Sequence, residues 1–390
     1  MLAMQDTLQH LTDRILQAAD SGQPLRLRGG GTKDFLGQSL QGEVLDTRAY
    51  SGILSYEPSE LVITVRAGTP LAEVEAALAE KGQSFAFEPP HFGKGATIGG
   101  MVAAGLSGPS RASVGTVRDF VLGARVINGK GEHLTFGGQV MKNVAGYDVS
   151  RLLAGSWGQL GLITEVSLKV LPVAPGEATL VCAGVSQSQA LKLINQWGGQ
   201  PLPLNASAWV HDTSASPSQD FFFVRLRGAI AAVDAAVIKM SADVQALGAQ
   251  VTRMSADDTD DDWKASGEQT LDFFQAPTAQ DCLWRLSVPQ TAPVLDVRVN
   301  GASCPQYIEW HGAQRWLWAP AAEAAQVREA AIKVGGHATL FRTSAASQQT
   351  MGDVDKQAGV YTPLNAVQQR IQNELKKQFD PAGVFNPRRA

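Results

Sequence analysis

Apolar residues recur at helical spacing near the start of the chain, where Leu8, Leu11 and Ile15 share one face. Ser21-Gly22 breaks the pattern before Pro24-Leu25-Arg26-Leu27-Arg28, which alternates as a short strand does. The unbroken run Leu61 to Val65 reads as a further strand. Thr69-Pro70 supplies an N-cap and first turn for a helix carrying Leu71, Val74 and Leu78 on one face, and Gly82 ends it. From Glu88 to about Gly161 the chain is dense in Gly and Ala, with strands predicted at Leu122 to Ile127 and Leu162 to Leu171. Such a composition lets backbone approach backbone.

The pattern changes after Pro172 and Pro175, which places a domain boundary there. Strand-like runs follow at Ala178 to Cys182, Phe221 to Leu226, Cys282 to Val288, Tyr307 to His311 and Arg315 to Trp318. Helical patterns at Gln187 to Trp197, Ala229 to Leu247 and Ala321 to Val334 lie between them, predicting one antiparallel sheet backed by helices. The acidic stretch Asp257 to Asp262 reads as a solvated loop, not a metal site. Leu375 to Pro387 reads as a helix stopped by turn residues.

A chain of 390 residues exceeds one ordinary hydrophobic core and implies two or three domains. No apolar run reaches membrane-spanning length, and no basic stretch followed by an apolar one opens the sequence, so a cytoplasmic location is expected. Cys182, Cys282 and Cys304 are odd in number and widely spaced, which argues against a disulfide framework, zinc or an iron–sulfur centre. A net charge of -4 without a basic stripe disfavours nucleic acid.

Chemistry concentrates in glycine-rich loops. Arg28-Gly29-Gly30-Gly31-Thr32-Lys33 follows a strand, and successive glycines can point several N–H groups into one concavity suited to a diphosphate. Neither GxxxxGK[ST] nor GxGxxG is present, which disfavours P-loop and Rossmann binding. A second loop, Pro89 to Gly100, runs into the small-residue segment Met101-Val102-Ala103-Ala104-Gly105. Two more loops surround Gly115-Thr116-Val117-Arg118-Asp119 and Lys142 to Asp148, the latter leading to Gly158-Gln159-Leu160-Gly161.

These loops, with Gly161-x-Ile163-Thr164-Glu165 and Phe379-Asp380-Pro381-x-Gly383-x-x-Asn386-Pro387, resemble the PCMH-type FAD-binding fold shared by vanillyl-alcohol oxidase and p-cresol methylhydroxylase. Within it the chain is most similar to the branch of E-type subunits of bacterial glycolate oxidase. Glu88-Pro89-Pro90-His91, Gly99-Gly100-Met101-Val102-Ala103, Val117 to Gly123, Val140 to Asp148 and Gly335 to Arg342 carry that similarity.

The resemblance implies an α+β fold: a PCMH-type FAD-binding domain of two α/β subdomains over 1–172, an antiparallel-sheet cap domain over 173–345, and a C-terminal segment 346–390 returning to the FAD domain. It implies that Arg28, Gly29, Gly30, Gly31 and Thr32, with Ala96, Thr97, Ile98, Gly99 and Gly100, hold the FAD pyrophosphate. Gly115, Arg118, Asp119, Gly161 and Ile163 would line the adenosine and flavin neighbourhood, with Pro90, Ala104 and Gly105 beside the second loop. No histidine follows the first loop at Gly31-Thr32-Lys33, so noncovalent FAD is implied. The partners implied are a D-type FAD subunit and an F-type iron–sulfur subunit of a glycolate-oxidising complex that also takes D-lactate, with membrane contact only peripheral and through those partners. His10, His91, His133, His211, His311 and His337 include no His-x-His pair, so no metal set and no catalytic base is assigned; His337 is the candidate for a polar contact. A stand-alone FAD oxidase or dehydrogenase of a small alcohol and a non-catalytic flavin-binding subunit are the alternatives.

Overall fold

The computed structural model describes residues 2–138, 148–214, 216–348, 353–387 and 389. The chain divides into two compact units, one of 1–107, 115–173 and 363–390, the other of 108–114 and 174–362.

The first unit opens with helix α1 (Leu2–Ser21), whose Leu11, Ile15 and Ala18 are buried at the expected spacing. They pack with Leu25 and Leu45, which belong to a parallel pair of short strands, β1 (Leu25–Arg28) and β2 (Glu43–Asp46). The C-terminal residues Val384 and Phe385 complete this core, and Phe385 bridges Leu25. An all-antiparallel sheet of five strands follows: β3 (Ile53–Glu57), β4 (Val62–Arg66), β5 (Val121–Ile127), β6 (His133–Gly137) and β7 (Leu162–Lys169), in the spatial order β3-β4-β7-β5-β6. Helix α2 (Leu71–Ala79) buries Leu71, Val74 and Leu78 as its spacing predicts. Thr69 is not its cap: the hydroxyl donates to Arg66 O and accepts from Gly52 N, fixing the end of β4 instead. Helix α3 (Ile98–Ala104) is capped by Thr97, whose hydroxyl accepts from Gly100 N, and closes at Gly105 with φ +65°.

The second unit is built on an eight-stranded antiparallel sheet. Its strands are β8 (Gly176–Ala183), β9 (Leu204–Asp212), β10 (Gln219–Gly228), β11 (Gln250–Met254), β12 (Asp281–Ser287), β13 (Gln306–Glu309), β14 (Gln314–Pro320) and β15 (His337–Arg342), in the order β11-β8-β10-β9-β13-β14-β12-β15. Alternate residues on each strand face opposite ways. One face carries Leu180, Phe222 and Val224 against helices α4 (Gln187–Gly198) and α5 (Ile230–Gln245). The same face carries Trp284, Leu317 and Leu340 against Val327 and Ala331 of a later helix over 324–333. The opposite face is aromatic and polar, with Arg225, Tyr307, Glu309, Trp316 and Arg285 in register across neighbouring strands.

The acidic stretch is helical, contrary to the loop expected from its charge: helix α6 spans Ala256–Glu268. Ser255 and Asp258 form a reciprocal capping box, and carboxylates in a first turn meet the positive end of the helix dipole. The hydrogen bonds from Ser255 hold the Asp258 carboxyl below its ordinary range. Trp263 and Ser266 anchor the other face of the helix, and Ser266 donates to Glu309. The three cysteines are free and buried. Among the described residues, no helix is long and apolar enough to cross a membrane.

His311 sits in a left-handed backbone turn, φ +57°, with Nδ1 3.0 Å from Ser207 Oγ and Nε2 2.9 Å from Ser113 Oγ. Burial pushes its pKa from 6.5 down to about 4, so folding favours the neutral ring. The stability this contributes is full above pH 6.5 and is lost as pH falls toward 4. Asn tolerates the left-handed turn and does not titrate, so His311→Asn should lose roughly 2 kcal/mol less stability than the native chain between about pH 7 and about pH 4. Urea unfolding monitored at both pH values checks this; equal losses would rule out His311 as the titrating group.

Candidate functional site

Two glycine loops that lie far apart in sequence meet in the first unit. After β1 the chain turns through Gly29, Gly30 and Gly31, the last at φ +71°. A Cβ on Gly30 would fall 1.8 Å from Gly95 O, and one on Gly29 would fall 2.2 Å from Thr97 Oγ1. Neither position tolerates a side chain while the loops remain in contact.

The second loop is registered by backbone hydrogen bonds to the segment that joins β4 to α2. Leu71 N donates to Ala96 O at 2.7 Å, Ile98 N to Thr69 O at 3.0 Å, and Gly99 N to Ala67 O at 2.8 Å. A Cβ at Gly99 would lie 2.6 Å from the Ala67 side chain. Lys33 Nζ donates to His91 O, and Phe35 meets Phe92 edge-on, so the exits of the two loops are also joined. His91 itself is held by Glu75, with Nε2 2.8 Å from Oε2.

The loops wall a cleft into which the structure brings Arg28, Gly29, Gly30, Gly31 and Thr32 together with Thr97, Gly99, Gly100 and Ala104. Gly161 and Ile163 line it at the start of β7. Pro90, Ala96, Ile98 and Gly105 shape the second loop and its helix from behind and are not on the cleft wall. Gly115, Arg118 and Asp119 also lie off that wall; the Asp119 carboxylate accepts from Thr116 N and Thr116 Oγ1 and so caps its own short turn. The loop segment Val140 to Tyr147 lies outside the described residues.

Other residues complete the wall. Arg26 projects from the same strand as Arg28, and its Nε is buried with no hydrogen-bond partner among the described residues. The alternation Leu25-Arg26-Leu27-Arg28 is the sequence signal for it. Asn386 accepts from Leu27 N at 2.9 Å and donates to Trp157 O at 2.6 Å, and Arg389 donates to Lys33 O and Asp34 O. The C-terminal segment thus ties β1, the first loop and the turn at Trp157 into one frame.

The arrangement is a backbone-walled cleft with an unsatisfied guanidinium nitrogen, chemistry that suits an extended anionic ligand. Comparison with known proteins agrees in kind. Residues 3–137 match the family model described as FAD binding domain. The chain is 42% identical over 389 residues to the glycolate oxidase subunit GlcE of Escherichia coli strain K12, covering 100% of this chain and 99% of that one. It is 33% identical over 160 residues to the glycolate oxidase subunit GlcD of Bacillus subtilis, spanning 40% of this chain and 34% of that one. Among solved structures, an alkyldihydroxyacetonephosphate synthase superposes with a TM-score of 0.68 over 97% of this chain and 74% of its own, at 14% identity, a likeness of fold.

The Gly30–Gly95 contact makes a graded test. Gly30→Ala should lower stability by about 1–3 kcal/mol, because the methyl group meets backbone that cannot turn away. Gly138→Ala has nothing within 4 Å and should be near neutral. Thermal unfolding of both variants checks the contrast, and equal melting temperatures would mean that the two loops do not abut as described.

Proposed function

The chain belongs to the glycolate oxidase GlcE family, and on that premise we propose that it holds FAD noncovalently in the cleft of its first unit and serves as the FAD-binding E-type subunit of a glycolate-oxidising complex. The observation that carries the reading is the close approach of Gly30 to the Gly95 backbone and of Gly29 to Thr97, which leaves no room for a side chain between the two loops that wall the cleft.

Arg28 to Thr32 and Thr97 to Gly100 would hold the diphosphate, and Gly161 and Ile163 would flank the flavin end. Arg26, whose buried Nε lacks a partner among the described residues, would gain one in a diphosphate oxygen. A noncovalent cofactor fits the side chains near the loops: Lys33 reaches His91 O, and the His91 ring is engaged by Glu75. Bound FAD supplies a hydride acceptor for oxidation of a CH–OH carbon. The protein's own part is to fix that acceptor through backbone donors and to exclude water from the diphosphate.

The partners of this reading are a D-type FAD subunit and an F-type iron–sulfur subunit, with contact to the inner face of the cell membrane only through them. In it the chain contributes to flavin electron transfer or assembly while glycolate or D-lactate is oxidised at the level of the complex.

A visible absorption spectrum of the chain purified alone, followed by anaerobic glycolate and D-lactate, tests the proposal. Oxidised-flavin bands that persist until the partner subunits are added are the expected result. Bleaching by either substrate alone would make the chain a self-sufficient dehydrogenase, and absence of bands after reconstitution with FAD would overturn the cofactor assignment. Gly99→Val should lose the flavin, since its side chain must occupy space held by Ala67. A folded variant keeping stoichiometric flavin would refute the placement of the diphosphate.

A further inference from the structure

The helix Ala366–Phe379 of the first unit carries a stripe of apolar residues that its own unit leaves uncovered. The helix is firmly held at both ends. Asn365 Oδ1 accepts from Val367 N and Gln368 N, and Gln368 Oε1 accepts in return from Asn365 N, a reciprocal cap. At the far end Phe379 O accepts from Gly129 N, and the buried Asp380 carboxylate accepts from Val384 N and Phe385 N.

One side of this helix meets the rest of the unit. Gln372, Leu375, Lys376 and Phe379 are half-buried there, and the Phe379 ring lies 6.1 Å from that of Phe136. All other residues from 366 to 378 are exposed. Val367 and Ile371 stand in line with Leu375 at four-residue spacing and are 57% and 53% exposed, and Leu364, just before the cap, is also exposed. An amphipathic helix ordinarily turns its apolar stripe to its own core. Here the stripe runs beside the packed side and faces outward.

Charge borders the stripe. Arg370 and Glu374, three residues after Val367 and Ile371, lie along the same flank of it one turn apart. Arg ahead of Glu is the weaker order for such a pair, and neither has an ion-pair partner among the described residues. A flank of this kind is complementary to itself. When a second copy of the helix is laid antiparallel about a two-fold axis at Ile371, Arg370 of each stands beside Glu374 of the other. The same operation sets Val367 against Leu375 and Ile371 against its own counterpart, and it opposes the two helix dipoles.

We infer that this stripe is the docking surface for a second copy of the chain, the two helices packing antiparallel. A partner surface of a single sign would set Arg370 or Glu374 against like charge, whereas a second copy offers each its opposite. A contact made by one helix of 14 residues from each copy is smaller than a standard interface, so a dissociation constant of roughly 10–100 μM is expected.

Sedimentation equilibrium of the full purified chain, at concentrations from well below to well above that range, tests the inference. The average mass should rise from one copy toward two. Ile371→Asp should weaken association about tenfold or more, by placing charge on the axis. Arg370→Glu and Glu374→Arg each set like charges against one another across the axis and should weaken it about tenfold. The double variant, and an equimolar mixture of the two single variants, should regain association. All three positions are exposed, so each variant should melt with the native chain. A native chain that stays monomeric throughout, a dimer that Arg370→Glu leaves unchanged, or a double variant that fails to regain association would each overturn the assignment.

Discussion

Gly30 and Gly95 touch through backbone alone, and the first unit is arranged around keeping that contact. A methyl group at Gly30 has nowhere to go, because the atom it would meet is the Gly95 carbonyl oxygen and not a flexible side chain. The contact in turn requires that each loop be pinned from behind. Asn386 and Arg389 pin the first, and the hydrogen bonds from Leu71, Ile98 and Gly99 pin the second to the segment that joins β4 to α2. Close approach costs backbone entropy at every glycine, and the surrounding network offsets that cost by making one arrangement of the loops far better bonded than any other. A cleft built this way has its wall fixed before any ligand arrives, because the N–H groups of Ile98, Gly99 and Gly100 are already spent on holding the second loop in place.

The second unit solves a different problem. Its sheet buries one face under helices with ordinary apolar packing, in which Trp284, Leu317 and Leu340 are nearly inaccessible. The other face places Glu309, Arg225 and Arg285 among aromatic rings. Burial raises the Glu309 pKa even though its three hydrogen bonds pull the other way, so a proton is easier to accept there than in water. Arg225 is held by Asn205 at 2.6 Å and stacks on Trp263. Beside them, the Arg285 Nε has no hydrogen-bond partner among the described residues.

The parts of this architecture written locally are legible in the sequence. The spacing of Leu11 and Ile15, the unbroken Val62 to Val65 run and the glycine loops each depend on residues within a few positions of one another. Asp257 to Asp262 misleads because its charge masks its capping: Ser255 and Asp258 stand at the capping-box spacing, and Trp263 is a single apolar anchor too sparse to show a periodic face. Strand β9 escapes sequence reading because Asn205, Ser207 and Ala208 have no strand preference, and its place is set by pairing with β10 and β13. The cleft is half legible for the same reason. Its glycines announce themselves, while Asn386 reaches Leu27 across 359 positions, a partnership that only folding creates.

A chain of net charge -4 has no long-range attraction for anionic ligands, so any it binds must be recognised at short range. The two units show two ways of doing so. In the first, the cleft wall is backbone shaped by glycine conformation, and the Arg26 nitrogen, unpartnered among the described residues, adds charge; such a wall suits an extended anionic ligand. In the second, charges are carried by a few side chains set against aromatic rings, as where the Arg285 guanidinium lies 5.4 Å from the centre of the Phe341 ring. The two units thus place their positive charge differently, one beside backbone shaped by glycine and the other among aromatic rings.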